Sequence, residues 1–266
     1  MRYFLVYACL TAASVNLARA DDLVGPYKGY IETGAGYDTL TSGYQNRSAV
    51  FVRGAYVLDK TQRFTGEVNE IRQFGSTGPL FVGGYENDFS PDWILMLGGA
   101  FSPGSNGDTL PRSLVDASIG RKWLEARNLV TTIGLTNIQY KNAYTSHATQ
   151  ASAAYYFDYL NMPLAVEGGA IYNVSDPGSV GATQYYGAIT EGREMDSIFS
   201  LRIGGGNVAY ELVGNVTALE QFPSKSLLVT WRKWLTKSYG FQLRADAYSN
   251  PYYQQHGLEV SFFKYF

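Results

Sequence analysis

Hydrophobic and polar residues alternate along most of this chain with a period of two, in segments of about ten residues that end at turn-forming residues. The clearest segment is 241–248. One face of this segment is apolar and carries Phe241, Leu243, Ala245 and Ala247. The other face is mainly polar and carries Gln242, Arg244, Asp246 and Tyr248. Apolar residues with the three-and-four spacing of an amphipathic helix are almost absent. The pattern therefore predicts an all-β protein.

The alternation predicts about fourteen strands. They cover 27–37, 47–57, 63–73, 79–88, 92–101, 112–123, 128–140, 147–158, 163–173, 181–190, 196–204, 225–235, 239–248 and 256–266. Residues 205–224 are interpreted as a connection. Because this stretch contains the apolar segment 208–213, a hairpin extending above the membrane is the alternative. Gly204-Gly205-Gly206 is interpreted as a flexible turn. If two of the shorter segments are loops, about twelve strands remain, which is the alternative.

The connections between these strands alternate between short turns and longer loops rich in Gly, Ser and Asn. Short periplasmic turns and long external loops are typical of outer-membrane barrels. After the first twenty residues, no apolar run reaches the ~20 residues that a membrane helix needs. We therefore predict a single up-and-down antiparallel transmembrane β-barrel, in which the apolar face of each strand contacts lipid and the polar face lines the lumen.

Residues 1–20 have the organisation of a cleavable signal peptide. Arg2 supplies a positive charge, 4–15 is apolar, and Leu17-Ala18-Arg19-Ala20 ends in a small-residue cleavage pattern. A lipoprotein signal ending at Cys9 would leave the apolar region too short. The predicted mature chain, 21–266, is one barrel domain in the outer membrane of a Gram-negative cell.

Composition excludes several classes of site in the mature chain. The single cysteine of the sequence leaves with the signal, so no disulfide or thiolate metal site is expected. The formal net charge of −2 becomes about −4 when Arg2 and Arg19 are removed. Such a balance argues against nucleic-acid binding, which favours a basic face.

Tryptophans and the final strand mark the predicted membrane boundaries. Trp93, Trp123, Trp231 and Trp234 all adjoin short turns, which predicts an aromatic girdle at the periplasmic interface. Ordinary strand propensity of aromatic residues is the alternative. In the final strand, one face carries Leu258, Val260, Phe262 and Phe266. This face resembles the terminal signal that the barrel-assembly machinery recognises.

Charged residues of both signs occupy the face predicted to line the lumen. They are Arg53, Glu67, Glu86, Asp88, Asp116, Lys122, Glu167, Arg202, Arg232, Arg244, Asp246 and Glu259. One interpretation is a pore lining that attracts polar solutes or sugars. The other is a structural network of ion pairs that fills the barrel.

No catalytic constellation is visible, so an enzyme is not expected. The two histidines are His147 and His256, and Ser146 next to His147 points to the opposite face of its strand. Neither a metal site nor a cofactor is expected.

Short motifs spread over the mature chain resemble the YaiO family of outer-membrane proteins. They are Tyr37-Asp38, Asn46-Arg47, Arg63-Phe64, Arg72-Gln73-Phe74, Pro111-Arg112, Ser226 to Leu235 and Gly257 to Phe266. The resemblance implies a single outer-membrane barrel, and some relatives are associated with glycosyltransferase or exopolysaccharide systems. It carries no catalytic signature.

These observations together predict a barrel that passes or guides a polar solute or a polysaccharide, as a porin-like channel or an exopolysaccharide export component. The expected partners are outer-membrane lipid and lipopolysaccharide, the barrel-assembly machinery, and polysaccharide or glycan-synthesis components. The alternative is a sealed structural barrel that acts through its extracellular loops as a receptor or adhesin.

The final strand generates the first testable prediction. Phe266→Ala should reduce insertion into the outer membrane far more than Phe263→Ala, because only Phe266 belongs to the apolar face that assembly reads. Quantifying both variants in purified outer membranes tests this. Wild-type insertion of Phe266→Ala would contradict the prediction.

Overall fold

The computed structural model describes residues 27–104, 109–141, 144–213 and 218–266, and these form a closed antiparallel β-barrel. Its fourteen strands are β1 (Gly29–Leu40), β2 (Arg47–Val57), β3 (Gln62–Gln73), β4 (Ser76–Ser90), β5 (Trp93–Phe101), β6 (Ser113–Trp123), β7 (Leu129–Gln139), β8 (Thr145–Tyr159), β9 (Met162–Asp176), β10 (Val180–Arg193), β11 (Ser197–Leu212), β12 (Ala218–Trp234), β13 (Tyr239–Ser249) and β14 (Gln254–Tyr265). The predicted signal peptide lies outside the described residues. Within them, no helix has the length and apolar character needed to cross a membrane.

Every strand pairs with its neighbours in the sequence, and β1 pairs with β14. The up-and-down barrel with fourteen strands is therefore confirmed, and the alternative count of twelve is wrong. We call the end at which β1 begins and β14 ends the terminal end, and the opposite end the loop end. Turns at the terminal end are short, such as the two residues between β8 and β9.

Strands β11 and β12 are longer than the segments 196–204 and 225–235 predicted from the sequence. Their pairing continues from Gly206↔Ser224 to Leu212↔Ala218, so the stretch 205–224 largely forms the hairpin that was the alternative to a loop. The interpretation of Gly204-Gly205-Gly206 as a turn is wrong, because these residues pair within β11. Gly206 has a φ of +129°, and a Cβ there would lie 2.3 Å from the carbonyl oxygen of Thr183. Glycines carry no side chain, so they interrupt the alternation without interrupting the strand.

The register fixes which face of each strand points outward. Residues paired across strands share a face, and the outer face is apolar: Val115, Ile133 and Leu135 expose more than 60% of their surface. Leu243 pairs with Trp231 and Val260 on this outer face. Gln242 pairs with Arg232 and Ser261 on the inner face.

The pairing of β1 with β14 closes the barrel and runs to the last residue. It extends from Leu40↔Gln255 to Tyr30↔Tyr265, and the Phe266 carbonyl accepts from the Lys28 amide at 2.8 Å. The predicted assembly face points outward, with Leu258, Val260, Phe262 and Phe266 each exposed by 38% or more. Phe263 points inward and is buried, so we expect its loss to lower stability rather than insertion.

A buried carboxylate fastens this closing pair to its neighbours. Glu32 of β1 is 1% exposed and accepts hydrogen bonds from Arg53 of β2 at 3.1 Å, from Arg232 of β12 at 2.8 Å and from Ser261 of β14 at 2.6 Å. Four strands therefore meet at one side chain, and two guanidinium groups are held together by its negative charge.

The register predicts opposite effects for two adjacent positions. Leu243→Arg near the middle of β13 should cost roughly 2–4 kcal/mol, because it places a charge in lipid. Gln242→Glu should be tolerated, because its carboxylate would face Arg232 in the interior. Urea titration of the folded band on gels measures both. Equal loss in the two variants would contradict the assigned faces.

Removing the carboxylate at position 32 should be costly. Glu32→Ala removes the ion-pair partner of Arg232 and leaves this guanidinium close to that of Arg53 without a carboxylate between them. Breaking a buried ion pair lowers the free energy of unfolding by about 3–5 kcal/mol. Glu70→Ala on the outer face of β3 is the matched control and should have little effect. Unfolding in lipid vesicles measures both, and equal stabilities would show that the Glu32 network does not stabilise closure.

Candidate functional site

The register places all of the predicted lumen residues on the inner face of the barrel. Arg53 lies between Glu32 and Glu67 across β1, β2 and β3. The other predicted lumen residues that lie on the inner face are Glu86, Asp88, Asp116, Lys122, Glu167, Arg202, Arg232, Arg244, Asp246 and Glu259.

Sequence reasoning missed several charged residues of the inner face, among them Glu32, Asp38, Arg47 and Arg63. In β1, glycines at 34 and 36 hide the alternation between the two carboxylates. Glu32 and Asp38 are an even number of residues apart, which places them on one face of a strand. That spacing was the signal available in the sequence.

An aromatic cluster surrounds Arg232 inside the terminal end. The guanidinium lies 3.8 Å from the ring centre of Phe263 and 4.9 Å from that of Tyr30. Trp234 and Tyr265 complete the cluster, and the Trp234 and Phe263 ring centres are 5.1 Å apart. Cation–π contacts of this kind stabilise a desolvated guanidinium.

Trp234 is therefore not part of a membrane-interface girdle. It is 4% exposed and faces the lumen, because it lies three positions after the outward-facing Trp231 and side chains alternate along a strand. All four tryptophans lie at the terminal end. On the outer face, the Arg121 guanidinium is 5.3 Å from the ring of Trp93 and 3.8 Å from that of Trp123.

The wall formed by β4 to β9 carries mainly carboxylates. Lys122 pairs with Asp88 at 2.6 Å at the terminal end. Thr136 donates to Asp116 at 2.7 Å, and the Tyr186 hydroxyl of β10 donates to Glu167 at 2.7 Å. No cation among the described residues pairs with Asp116.

The opposite wall, from β11 through the closing pair to β3, carries the arginines. These are Arg202, Arg232, Arg244, Arg47, Arg53 and Arg63. Carboxylates on the same wall compensate several of them, as Asp38 does for Arg47 at 2.6 Å. The acidic wall has Lys122 as its compensating cation among the described residues. The lumen is therefore polarised from one side to the other.

A cavity occupies the loop-end half of the lumen, beside β2, β3, β4, β6 and β7. Its empty volume is about 780 Å³, open solvent at its mouth included. One side is aliphatic, and the floor carries Arg53, Glu67, Arg244 and Glu259. Leu110, from the connection between β5 and β6, folds inward against the aliphatic side and is 1% exposed.

An aromatic cover lies over part of the loop end. The ring centre of Tyr253, between β13 and β14, is 5.2 Å from that of Tyr44, between β1 and β2, and 6.0 Å from that of Phe74, between β3 and β4. The Tyr253 hydroxyl donates to Glu211. Burial raises the pKa of Tyr253, and the Glu211 carboxylate raises it further, so this hydroxyl stays a neutral donor.

Ser146 and His147, the adjacent pair considered in the sequence, lie on opposite faces of β8. Ser146 is buried and donates to Asn173 at 2.5 Å, whereas His147 lies on the outer face 2.9 Å from the Asn137 amide nitrogen. In the described part of the chain, no three His, Cys, Asp or Glu residues are grouped closely enough to hold a metal ion.

Solved structures share this fold at low sequence identity. A bacterial polysaccharide outer membrane secretin has a TM-score of 0.56 at 9% identity, covering 90% of this chain and 99% of that one. The translocator domain of the autotransporter NalP from Neisseria meningitidis has 0.53 at 10%, covering 100% and 98%. Omp33 from Acinetobacter baumannii has 0.53 at 12%, covering 89% and 97%. No curated protein matches the sequence.

The family comparison agrees with the resemblance of the sequence motifs. The YaiO membrane beta barrel domain matches residues 28–211, from the start of β1 almost to the end of β11. The match covers more than half of the chain and includes the acidic wall of the lumen. This protein is therefore an outer-membrane β-barrel that belongs to the YaiO family.

Proposed function

We propose that this barrel passes or guides polar solutes, including polysaccharide strands, across the outer membrane without catalysing a reaction. The observation that carries the proposal is the uneven charge of the lumen. The β11-to-β3 wall carries six arginines together with the carboxylates Glu32, Asp38, Glu67, Asp246 and Glu259, whereas the β4-to-β9 wall carries carboxylates with Lys122 as their compensating cation among the described residues. Fixed charges of this kind orient polar molecules and set the flow of ions through a pore.

The pairing of the charges supports a hydrated lumen. Asp116 faces the interior with Thr136 as its hydrogen-bond partner and no cation within ion-pair distance among the described residues. An unpaired carboxylate in a dry interior would carry a large desolvation cost. Asp116 is 5% exposed, so water in the lumen would reach its carboxylate through that small opening and lower the cost, and the same water would provide the route for a polar solute.

The glycan version of the proposal has separate support. One neighbour with the same fold bears the description of a polysaccharide secretin, and the family resemblance implies association with exopolysaccharide systems. Partners would then be glycan-synthesis components, in addition to lipopolysaccharide and the barrel-assembly machinery. Export by the predicted signal peptide belongs to the same proposal.

A second candidate is a sealed barrel that acts through its loops as a receptor or adhesin. The aromatic cover favours it, because Tyr44, Phe74 and Tyr253 join three connections at the loop end. Packed connections present a fixed surface, which suits recognition more than passage.

Single-channel recording in a planar bilayer tests the channel. We expect a steady conductance that favours cations, since the acidic wall is the less compensated one. Asp116→Asn should lower the cation-to-anion permeability ratio roughly twofold at low salt, and Arg244→Gln should raise it, with both effects fading at high salt. Glu70→Gln on the outer face is the matched control and should leave the ratio unchanged.

A bilayer that stays sealed at all voltages would contradict the passive channel. Surface polysaccharide should then be measured in a deletion strain. Loss of the glycan would support guided export, whereas an unchanged glycan coat together with a sealed barrel would favour the loop-acting alternative.

A further inference from the structure

The loop-end cavity has a composition that transport of polar solutes does not explain. A hydrated lumen has no need of an aliphatic wall, yet Ile71, Leu80 and Leu114 point inward there. We propose that this cavity is a binding site for a small amphipathic carboxylate, whose hydrocarbon body contacts the aliphatic wall and whose carboxylate pairs with Arg244. The proposal goes beyond passage of polar solutes, because the site exists in an open or a sealed barrel.

The aliphatic wall is continuous and comes from four strands and one connection. Its members are Ile71, Leu80, Val82, Leu110, Leu114 and Ile138. These side chains offer no hydrogen-bond partner, so a sugar lying against them would lose hydration of its hydroxyls without compensation. A hydrocarbon body gains from the same contact.

The arginines of the cavity differ in how they are compensated. Arg47 pairs with Asp38 at 2.6 Å, and Arg53 pairs with Glu32 and, at 3.1 Å, with Glu259. Glu259 lies opposite Arg244 in the register, but its carboxylate binds Arg53 instead. Arg244 therefore has no ion-pair partner among the residues that the structure describes.

The carboxylates around Arg244 do not form an ion pair with it. Glu67 accepts a hydrogen bond from the Asn69 amide at 2.6 Å, and Glu259 is engaged by Arg53. Asp246, two positions along the same face of β13, attracts Arg244 electrostatically but is not within ion-pair distance of it. An anionic head group in the cavity would therefore pair with Arg244, because guanidinium groups bind carboxylates with paired hydrogen bonds.

The position of the cavity defines the ligand further. Pro111 and Tyr140 belong to connections at the loop end and line the cavity, so the ligand enters from that end. Arg244 is near the middle of β13, which places the acid at the floor and the apolar body above it.

Calorimetry with 3-phenylpropanoate and its uncharged amide tests the proposal. The full-length barrel is placed in lipid nanodiscs, and the heat from empty nanodiscs is subtracted. We expect the acid to bind saturably at one site and the amide to bind at least about tenfold more weakly, because the amide lacks the charge-assisted pairing with Arg244. This comparison needs no variant, so it stands even where substitutions impair folding.

Paired variants separate the two halves of the site. Arg244→Gln should weaken the acid about tenfold or more and leave the amide unchanged, whereas Arg72→Gln on the outer face of β3 should change neither. Ile138→Thr should weaken both ligands, whereas Ile133→Thr on the lipid face of the same strand should not. The gel shift of the folded band verifies each variant.

Two results would overturn the proposal. One is the absence of saturable heat with the acid. The other is equal affinity for acid and amide, which would show that the charge of Arg244 is not used. Neither result bears on conductance, so the site and the channel are tested independently.

Discussion

Closure of the sheet between β1 and β14 is the constraint on which the rest of this structure depends. A strand with unpaired amide and carbonyl groups cannot face hydrocarbon, so the first and last strands must find each other across the whole chain. Glu32 lies where that pairing meets β2 and β12, and it accepts hydrogen bonds from Arg53, Arg232 and Ser261. The buried carboxylate thus joins residues whose sequence separation reaches 229.

The polarity of the lumen is a consequence of that closure. Arg202 and Arg244 lie in the last four strands and Arg53 lies in the second, and only the closed barrel places them on one wall. The carboxylates Asp116 and Glu167 come from the middle of the chain and lie on the wall formed by β4 to β9, where a single strand, β10, separates Glu167 from Arg202. Charges of both signs, mixed along the sequence, are therefore distributed unequally between the two walls. A solute in the lumen would experience this difference as an electric field across the barrel.

The lumen also contains two different environments along its length. At the terminal end, Arg232 packs against Phe263 and Trp234, where aromatic rings replace water around the guanidinium. At the loop end, Leu110 folds inward and leaves an aliphatic cavity above Arg244. The two ends of the lumen therefore differ in the surface that they present, aromatic around a guanidinium at one end and aliphatic at the other.

The alternation of side chains determined the fold from sequence, because period two sets which residues share a face. It placed Leu243 and the assembly face of β14 outward and the predicted charges, such as Asp116, inward. It did not determine Glu32 or the length of β11, because glycines at 34, 36 and 204–206 carry no side chain to mark a face. The pairing of Arg53 with Glu259, the open position of Arg244 and the inward packing of Trp234 were decided only by the tertiary structure, because they depend on register between strands that closure brings together.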